Sequence, residues 1–274
     1  MSSSSFLDRV LEKIGAGSVP VGTVINLRDP LVTEIVAAAG LDFVWIDLEH
    51  SSMANAEVDA HIVAARSRGI APFVRLPWND PVRVKPILEM GPAAVIFPFV
   101  NSGEEARAAV AACRYPPEGV RGFCPHRAID FGAQPLEEYL EIARREPWVV
   151  VQIEHVEAVA HIDEICAVPG IGSILVGPFD LTMSLGKAGQ MRDPEVVALL
   201  DTAGDAARRH NVPLGAFALS GDEEGIAAWL RRGASWLALD MEYAHITRGV
   251  RRSIETVERL RRGRVQEKTR LDTK

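Results

Sequence analysis

The stretch Phe43-Val44-Trp45-Ile46-Asp47-Leu48-Glu49-His50 decides how the chain is read. Four largely apolar residues run into three ionisable ones. A run this short, without helical spacing, reads as a buried strand. Ionisable groups are rarely buried unless paired or ligating, so Asp47, Glu49 and His50 mark a place where the strand leaves the core with a task. Seven further runs repeat the pattern: Val21–Asn26, Pro72–Leu76, Ala93–Phe97, Trp148–Ile153, Ser173–Val176, Leu214–Ala218 and Trp236–Leu239.

Between them lie stretches with helical spacing: Pro30–Ala39, Ala54–Arg68, Pro81–Met90, Glu104–Cys113, Leu136–Arg145, Val156–Cys166, Pro194–His210 and Asp222–Arg232. A short helix over Ser5–Ile14 precedes them and a last one over Ile246–Arg261 follows. Glycines at 40, 69, 91, 172 and 233 stand where helix C-caps are needed. Eight strand–helix alternations imply a parallel sheet and favour a closed (β/α)8 TIM barrel, an α/β fold with one short N-terminal helix. Residues 1–262 are expected to form this single domain, with 263–274 a polar, disordered tail. Two segments break the rhythm: Arg114–Gln134, long enough to suggest a functional or interfacial loop, and Gly186–Asp193.

With 274 residues, 47% hydrophobic and 24% charged, the chain has ample material for a core. Its formal charge of −7, with no basic stripe, disfavours nucleic acid as a partner. No apolar run reaches membrane-spanning length, and Met1–Ser5 lacks the features of a secretory signal. Cys113, Cys124 and Cys166 have no zinc-type spacing and read as reduced thiols of a cytoplasmic protein. Only five lysines occur (Lys13, Lys85, Lys187, Lys268 and Lys274), and none directly follows an apolar strand, which disfavours Schiff-base chemistry.

A barrel builds its active site where the strands end. The first strand ends in Asn26, Arg28 and Asp29, and the third in Arg75, Trp78 and Asn79. The fifth supplies Gln152 and Glu154; the sixth Gly177, Pro178, Phe179 and Asp180; the seventh Ser220; the eighth Asp240 and Glu242. The fourth, Ile96–Asn101, offers little. Glu154 and Asp180 are 26 residues apart, one βα unit, and so leave neighbouring strands. Two such carboxylates repel unless a cation lies between them, and oxygen ligands suit Mg²⁺, Mn²⁺ or a similar divalent ion. Alternatively, either residue caps the following helix. His50, close to Glu49 and Asp47, is a candidate acid/base; the alternative is a structural histidine. The Arg75 fork suits a carboxylate or an enolate oxygen, or an ion pair with Asp47 across adjacent strands. The histidines at 61, 155, 161, 210 and 245 read as packing or surface residues, and His126 is left open.

The ordered set Asp47-Leu48-Glu49-His50, Val74-Arg75-Leu76-Pro77, Arg114-Tyr115-Pro116-Pro117-Glu118-Gly119-Val120-Arg121-Gly122, Gln152-Ile153-Glu154 and Val176-Gly177-Pro178-Phe179-Asp180-Leu181 resembles the HpcH/HpaI aldolase family, the metal-dependent pyruvate aldolases. The similarity covers roughly residues 17 to 250. It implies divalent metal (Mg²⁺, Mn²⁺ or Co²⁺) on Glu154 and Asp180. It implies pyruvate held by Arg75 and Gln152, at Gly177 and on the backbone amides of Phe179 and Asp180. His50 would move a proton, with Asp47 orienting Arg75 or a water. Glu89 stands where the family often has an aspartate that pairs with the histidine, and Phe179 where it usually has alanine. The implied reaction is cleavage of a 4-hydroxy-2-oxo acid to pyruvate and an aldehyde, on a homo-oligomer that is often a hexamer with swapped C-terminal helices. The alternatives are a relative condensing another 2-oxo acid such as oxaloacetate, and a non-catalytic barrel.

Overall fold

A computed structural model describes residues 5–272, with side chains through 262. The chain begins with α1 (Phe6–Gly15), then β1 (Val21–Ile25) and α2 (Leu31–Ala38), β2 (Phe43–Asp47) and α3 (Asn55–Ser67). Next come β3 (Ala71–Arg75) and α4 (Pro81–Glu89), β4 (Ala94–Phe97) and α5 (Gly103–Cys113), and α6 (Leu136–Ala143) after the long loop. The second half runs β5 (Trp148–Ile153), α7 (Val156–Ala160), α8 (Ile162–Cys166), β6 (Ser173–Val176), α9 (Pro178–Ser184) and α10 (Pro194–His210). It closes with β7 (Leu214–Ala218), α11 (Glu223–Arg231), β8 (Ala234–Met241) and α12 (Glu242–Asp272). The eight strands are parallel, pair in sequence order, and β8 returns to β1: the expected closed barrel.

Alternation along the strands sorts side chains between two cores. Val44, Ile46, Val74, Val149, Val151, Ile174 and Val176 face outward and pack under the helices. Phe43, Trp45, Phe73, Trp148, Val150, Leu175 and Trp236 face the barrel axis. At the floor Phe43 stacks on Phe73 with centroids 4.7 Å apart, and Trp236 meets both edge-on at 5.4 and 5.7 Å. Glycines make room for these rings. A Cβ on Gly22 would lie 2.4 Å from Phe43, and one on Gly215 would lie 2.2 Å from Trp236. α1 closes the floor with Leu7 and Val10. Its N-terminus is fixed by a reciprocal capping box between Ser5 and Asp8.

Three expectations differ from the observed elements. The helix read over Val156–Cys166 breaks at His161, whose ring Nδ1 lies 3.2 Å from the Asn101 carbonyl. A helix, α9, starts at Pro178 directly after β6, where only a strand end was expected. The tail expected to be disordered from residue 263 instead continues the α12 backbone to Asp272; residues 273–274 lie outside the described residues. Glu, Lys, Arg and Gln in this segment are good helix formers, and Gly263 does not interrupt them. No helix among the described residues is long and apolar enough to cross a membrane.

Candidate active site

The pleat that sends Phe43 and Trp45 to the axis also sends Asp47 there, at the C-terminal rim. The same parity carries Phe73 to Arg75, and Trp148 and Val150 to Gln152; on β8 the left-handed backbone at Asp240 (φ +54°) breaks the alternation, so that Met241 rather than Asp240 lines the cavity. These rim residues line or adjoin a cavity of about 410 Å³ that contains Asn26, Asp47, His50, Arg75, Gln152, Gly177, Phe179 and Asp180 on its wall.

Asp47 and Arg75 are direct neighbours in the β2–β3 register. Arg75 Nε and Nη2 donate to the two Asp47 oxygens at 2.9 and 2.7 Å. Asp47 also accepts from Asn26 Nδ2 and from the backbone N–H of Glu49, both at 3.0 Å, and of His50 at 3.4 Å. It therefore holds both the guanidinium and the turn that presents His50. Burial opposes ionisation of Asp47, but the Arg75 bonds outweigh it and keep the carboxyl below its ordinary value. The guanidinium carbon sits 4.7 Å over the Trp45 ring. Arg75 Nη1 lies 3.1 Å from Glu49 Oε2, off the hydrogen-bond angle. His50, mostly exposed, has Nε2 3.9 Å from the same carboxylate.

Across the mouth, Glu154 is 1% exposed. Its Oε1 accepts from the Phe99 N–H at 2.7 Å and its Oε2 from Gln152 Nε2 at 2.5 Å. Gly177 permits this approach, since a Cβ there would lie 2.8 Å from Glu154 Oε2. Burial pushes the Glu154 carboxyl up to about 8; Glu49 and Asp180 push the same way, while the Phe99 bond and Arg75 oppose. Glu49 is also raised, first by burial and further by Asp47 and Asp180. Asp180 stands in the first turn of α9. Pro178 at the first helical position has no N–H, so the free amides of that turn begin at Phe179 and Asp180.

Four carboxylates thus surround one buried guanidinium that is already committed to Asp47. Gln152 Oε1 and Glu49 Oε2 are buried acceptors without a donor. Such a site fits an added cation, and the all-oxygen donor set suits a hard divalent one. Among the described residues, no group of three or more His, Cys, Asp and Glu could enclose a metal ion. Two protein carboxylates would leave coordination positions open, as catalytic sites do.

Not every candidate joins this mouth. Glu89 lies on the barrel flank at the end of α4, paired with Arg121 at 3.2 Å, and lines a groove with Asp59, His126 and Arg127. Its expected pairing with His50 is not made within this chain, because α4 runs away from the rim where His50 sits. The loop 114–134 keeps Glu89 company there, tied to α3 by the Arg127–Asp59 pair. Arg28 turns outward to Glu57. Asp240 and Glu242 serve loops: Asp240 accepts from the Ser220 N–H and Arg248, Glu242 from the Asn26 and Leu27 N–H groups. His61 is buried between Thr33 and the Leu27 carbonyl, a packing residue.

Sequence reasoning missed Phe99, which acts through its backbone at φ +49°, a role that leaves no mark on side-chain identity. It also missed Phe217, Leu219, Met241 and Tyr243, apolar or neutral lining residues that look like any strand end.

The sequence profile of HpcH/HpaI aldolase/citrate lyase matches residues 21–248. The chain belongs to this family. A pyruvate aldolase of Rhizobium etli (strain ATCC 51251 / DSM 11541 / JCM 21823 / NBRC 15573 / CFN 42) is 38% identical over 238 residues, spanning 86% of this chain and 92% of the relative. A 5-keto-4-deoxy-D-glucarate aldolase of Citrobacter koseri (strain ATCC BAA-895 / CDC 4225-83 / SGSC4696) is 34% identical over 240 residues, 87% and 92% of the two chains. The crystal structure of HpcH/HpaI aldolase from Desulfitobacterium hafniense DCB-2 superposes with a TM-score of 0.84 at 32% identity, covering 90% of this chain and 96% of that one. That of citrate synthase SbnG superposes at 0.80 and 30% identity, with coverage of 90% and 96%. The family member described here is an enzyme of the lyase class, an aldolase acting on small molecules.

Proposed function

We propose that the chain catalyses reversible, divalent-metal-dependent cleavage of a 4-hydroxy-2-oxo acid to pyruvate and an aldehyde. That reaction class spans 2-keto-3-deoxy sugar acids, 4-hydroxy-2-oxoheptanedioate and analogues whose aldehyde half is apolar. The observation that carries this reading is the Glu154–Asp180 side of the mouth: a buried carboxyl pushed up to about 8 beside other carboxylates, with too little positive charge to balance them. Glu154 and Asp180 are the residues that would hold Mg²⁺, Mn²⁺ or Co²⁺. When bound, the ion supplies Lewis acidity toward a 2-oxo acid's keto oxygen.

The chain's own groups account for the rest. Gln152 and the amides of Phe179 and Asp180 orient the substrate carboxylate. Arg75, held in place by Asp47 and Trp45, stabilises negative charge growing on the keto oxygen as the C3–C4 bond breaks. His50 takes the 4-hydroxyl proton as the aldehyde forms and returns one in the reverse direction. Asp47 positions both, and Glu49 is a supporting acceptor. Within one chain Glu89 has no route to this chemistry; a part for it would require a second copy.

A homo-oligomer, with the hexamer as the family's form, belongs to the same proposal. Support comes from α12, whose exposed Ile246, Val250, Ile254, Val257 and Leu260 recur at three- and four-residue spacing. Light scattering of the intact protein tests it, and a monomer would refute it.

The deciding experiment is chelation. EDTA should abolish pyruvate release, and Mn²⁺, Co²⁺ or Mg²⁺ should restore it. Full activity after chelation, with a borohydride-trapped lysine adduct, would refute the metal reading. Among the described residues no lysine lines the cavity. The similarity to citrate synthase SbnG favours one competitor, condensation of oxaloacetate, and product identification from paired 2-oxo acids separates the two.

A further inference from the structure

We infer that the aldehyde partner is uncharged and apolar, and that Phe179 and Phe217 set its size; this rests on the aldol reading above. The cavity has two unlike halves. One carries Asp47, Arg75, Gln152 and Asp180. The other is built from Phe179 of α9, Phe217 and Leu219 at β7, and Met241 ending β8, with the Tyr243 ring also on the wall. Phe179 and Leu219 are each 44% exposed, large apolar surfaces left open beside the reacting centre.

Besides Tyr243, the ionisable side chains that face the cavity are Asp47, Asp180, His50 and Arg75. Arg75 is taken by Asp47, with Glu49 beside it. Among the described residues no uncommitted arginine or lysine lines the cavity. A carboxylate at the far end of the aldehyde would lie among Phe179, Phe217 and Leu219, losing water without gaining a counter-charge. An alkyl or aryl group would bury apolar surface there instead.

The size limit comes from the same rings. A second cavity of about 370 Å³, walled by Leu200 and Trp229, lies on the other side of Phe179 and Phe217, which border both cavities. The two rings meet edge to face with centroids 6.0 Å apart. They form a partition, and trimming it joins the two volumes. In the addition direction pyruvate C3 gives up one proton to solvent and bonds to the aldehyde carbon. The carbonyl oxygen becomes a hydroxyl with a proton from His50, so the growing chain points from the polar half toward this partition.

The test compares kcat/KM of the Mn²⁺-loaded wild type for pentanal, hexanal and benzaldehyde with that for succinic semialdehyde, glyoxylate and D-glyceraldehyde, with pyruvate as donor. The apolar aldehydes should exceed the others at least about tenfold. Equal or higher values for the charged or hydroxylated aldehydes would overturn the inference. Exchange of pyruvate methyl hydrogens in D₂O, without any aldehyde, tests the underlying reading alone. No exchange refutes that reading; exchange together with a preference for anionic aldehydes refutes only this inference. Phe217→Ala, with Phe217→Leu as a milder variant, should raise the octanal-to-propanal ratio of kcat/KM about tenfold or more. An unchanged ratio in a folded variant would overturn the partition.

Discussion

The floor and the mouth of this barrel are made by the same strands and the same face of each strand, yet they are opposites. At the floor, Phe43, Phe73, Trp148 and Trp236 interlock, and the one buried polar handle among the rings is satisfied: Trp236 Nε1 donates to Ser173 Oγ at 2.9 Å. Two to six residues further along, Asp47, Arg75, Gln152 and Glu154 crowd together with acceptors unpartnered and one carboxyl forced upward. The floor holds the barrel closed. The mouth carries unbalanced electrostatics, relieved in the free chain by a proton held on Glu154. Stability and chemistry are thus separated along the barrel axis by about the length of one strand.

The comparison is most sharply tested by Glu154→Gln. This variant should lose about 10³-fold in kcat/KM with added Mn²⁺ while remaining folded by circular dichroism. Because it removes a carboxyl whose ionisation burial opposes, metal-free stability at neutral pH should not fall. A large loss of stability with retained activity would invert the roles assigned to the two ends.

Trp236→Ala should do the reverse. Truncating a fully buried ring costs about 3–5 kcal/mol, read from denaturant unfolding. Its kcat at low temperature, where the protein is still folded, should stay near wild type. His50→Ala should lower kcat for cleavage about 10²-fold, with far less effect on hydrogen exchange into pyruvate, since the 4-hydroxyl is absent from that reaction. Equal losses in both assays would place the His50 proton on the pyruvate side.

The smallest effect is one of pH. In the metal-free protein Glu154 titrates near 8 rather than its ordinary 4.5, so the folded state retains a proton through that window. Its contribution to stability is therefore fully present below the unfolded value and is lost as pH rises through 8. A cation must displace the same proton, so Mn²⁺ affinity by calorimetry should rise about tenfold per pH unit up to 8 and flatten above it. An affinity independent of pH between 6 and 8 would contradict the buried, protonated carboxyl.

Much of the fold was legible because strands in this barrel are short apolar runs with charged ends, and four of the helices between them, α2, α3, α4 and α11, stop just before a glycine. Seven of the strand ends could be named from that grammar, and the pleat seen in the structure carries Asp47, Arg75 and Gln152 to the axis. What stayed hidden followed from three-dimensional facts. Phe99 contributes an N–H, not a side chain. The start of α9 is masked because Gly177-Pro178 reads as a strand stop as readily as a helix start. Glu89 resembles a site residue in sequence, but its helix carries it down the flank.

The sequence by itself determined the eight alternations, the closed barrel they imply, and the residue types that gather at one rim, because strand period and rim position follow from local pattern. Only the tertiary structure decided which of those residues meet. It set Asp47 beside Arg75 in register, brought Glu154 against Gln152 over the bare backbone of Gly177, and stood Phe179 against Phe217. Those pairings depend on strand registers and close approaches across the barrel, distances that no spacing along the chain encodes.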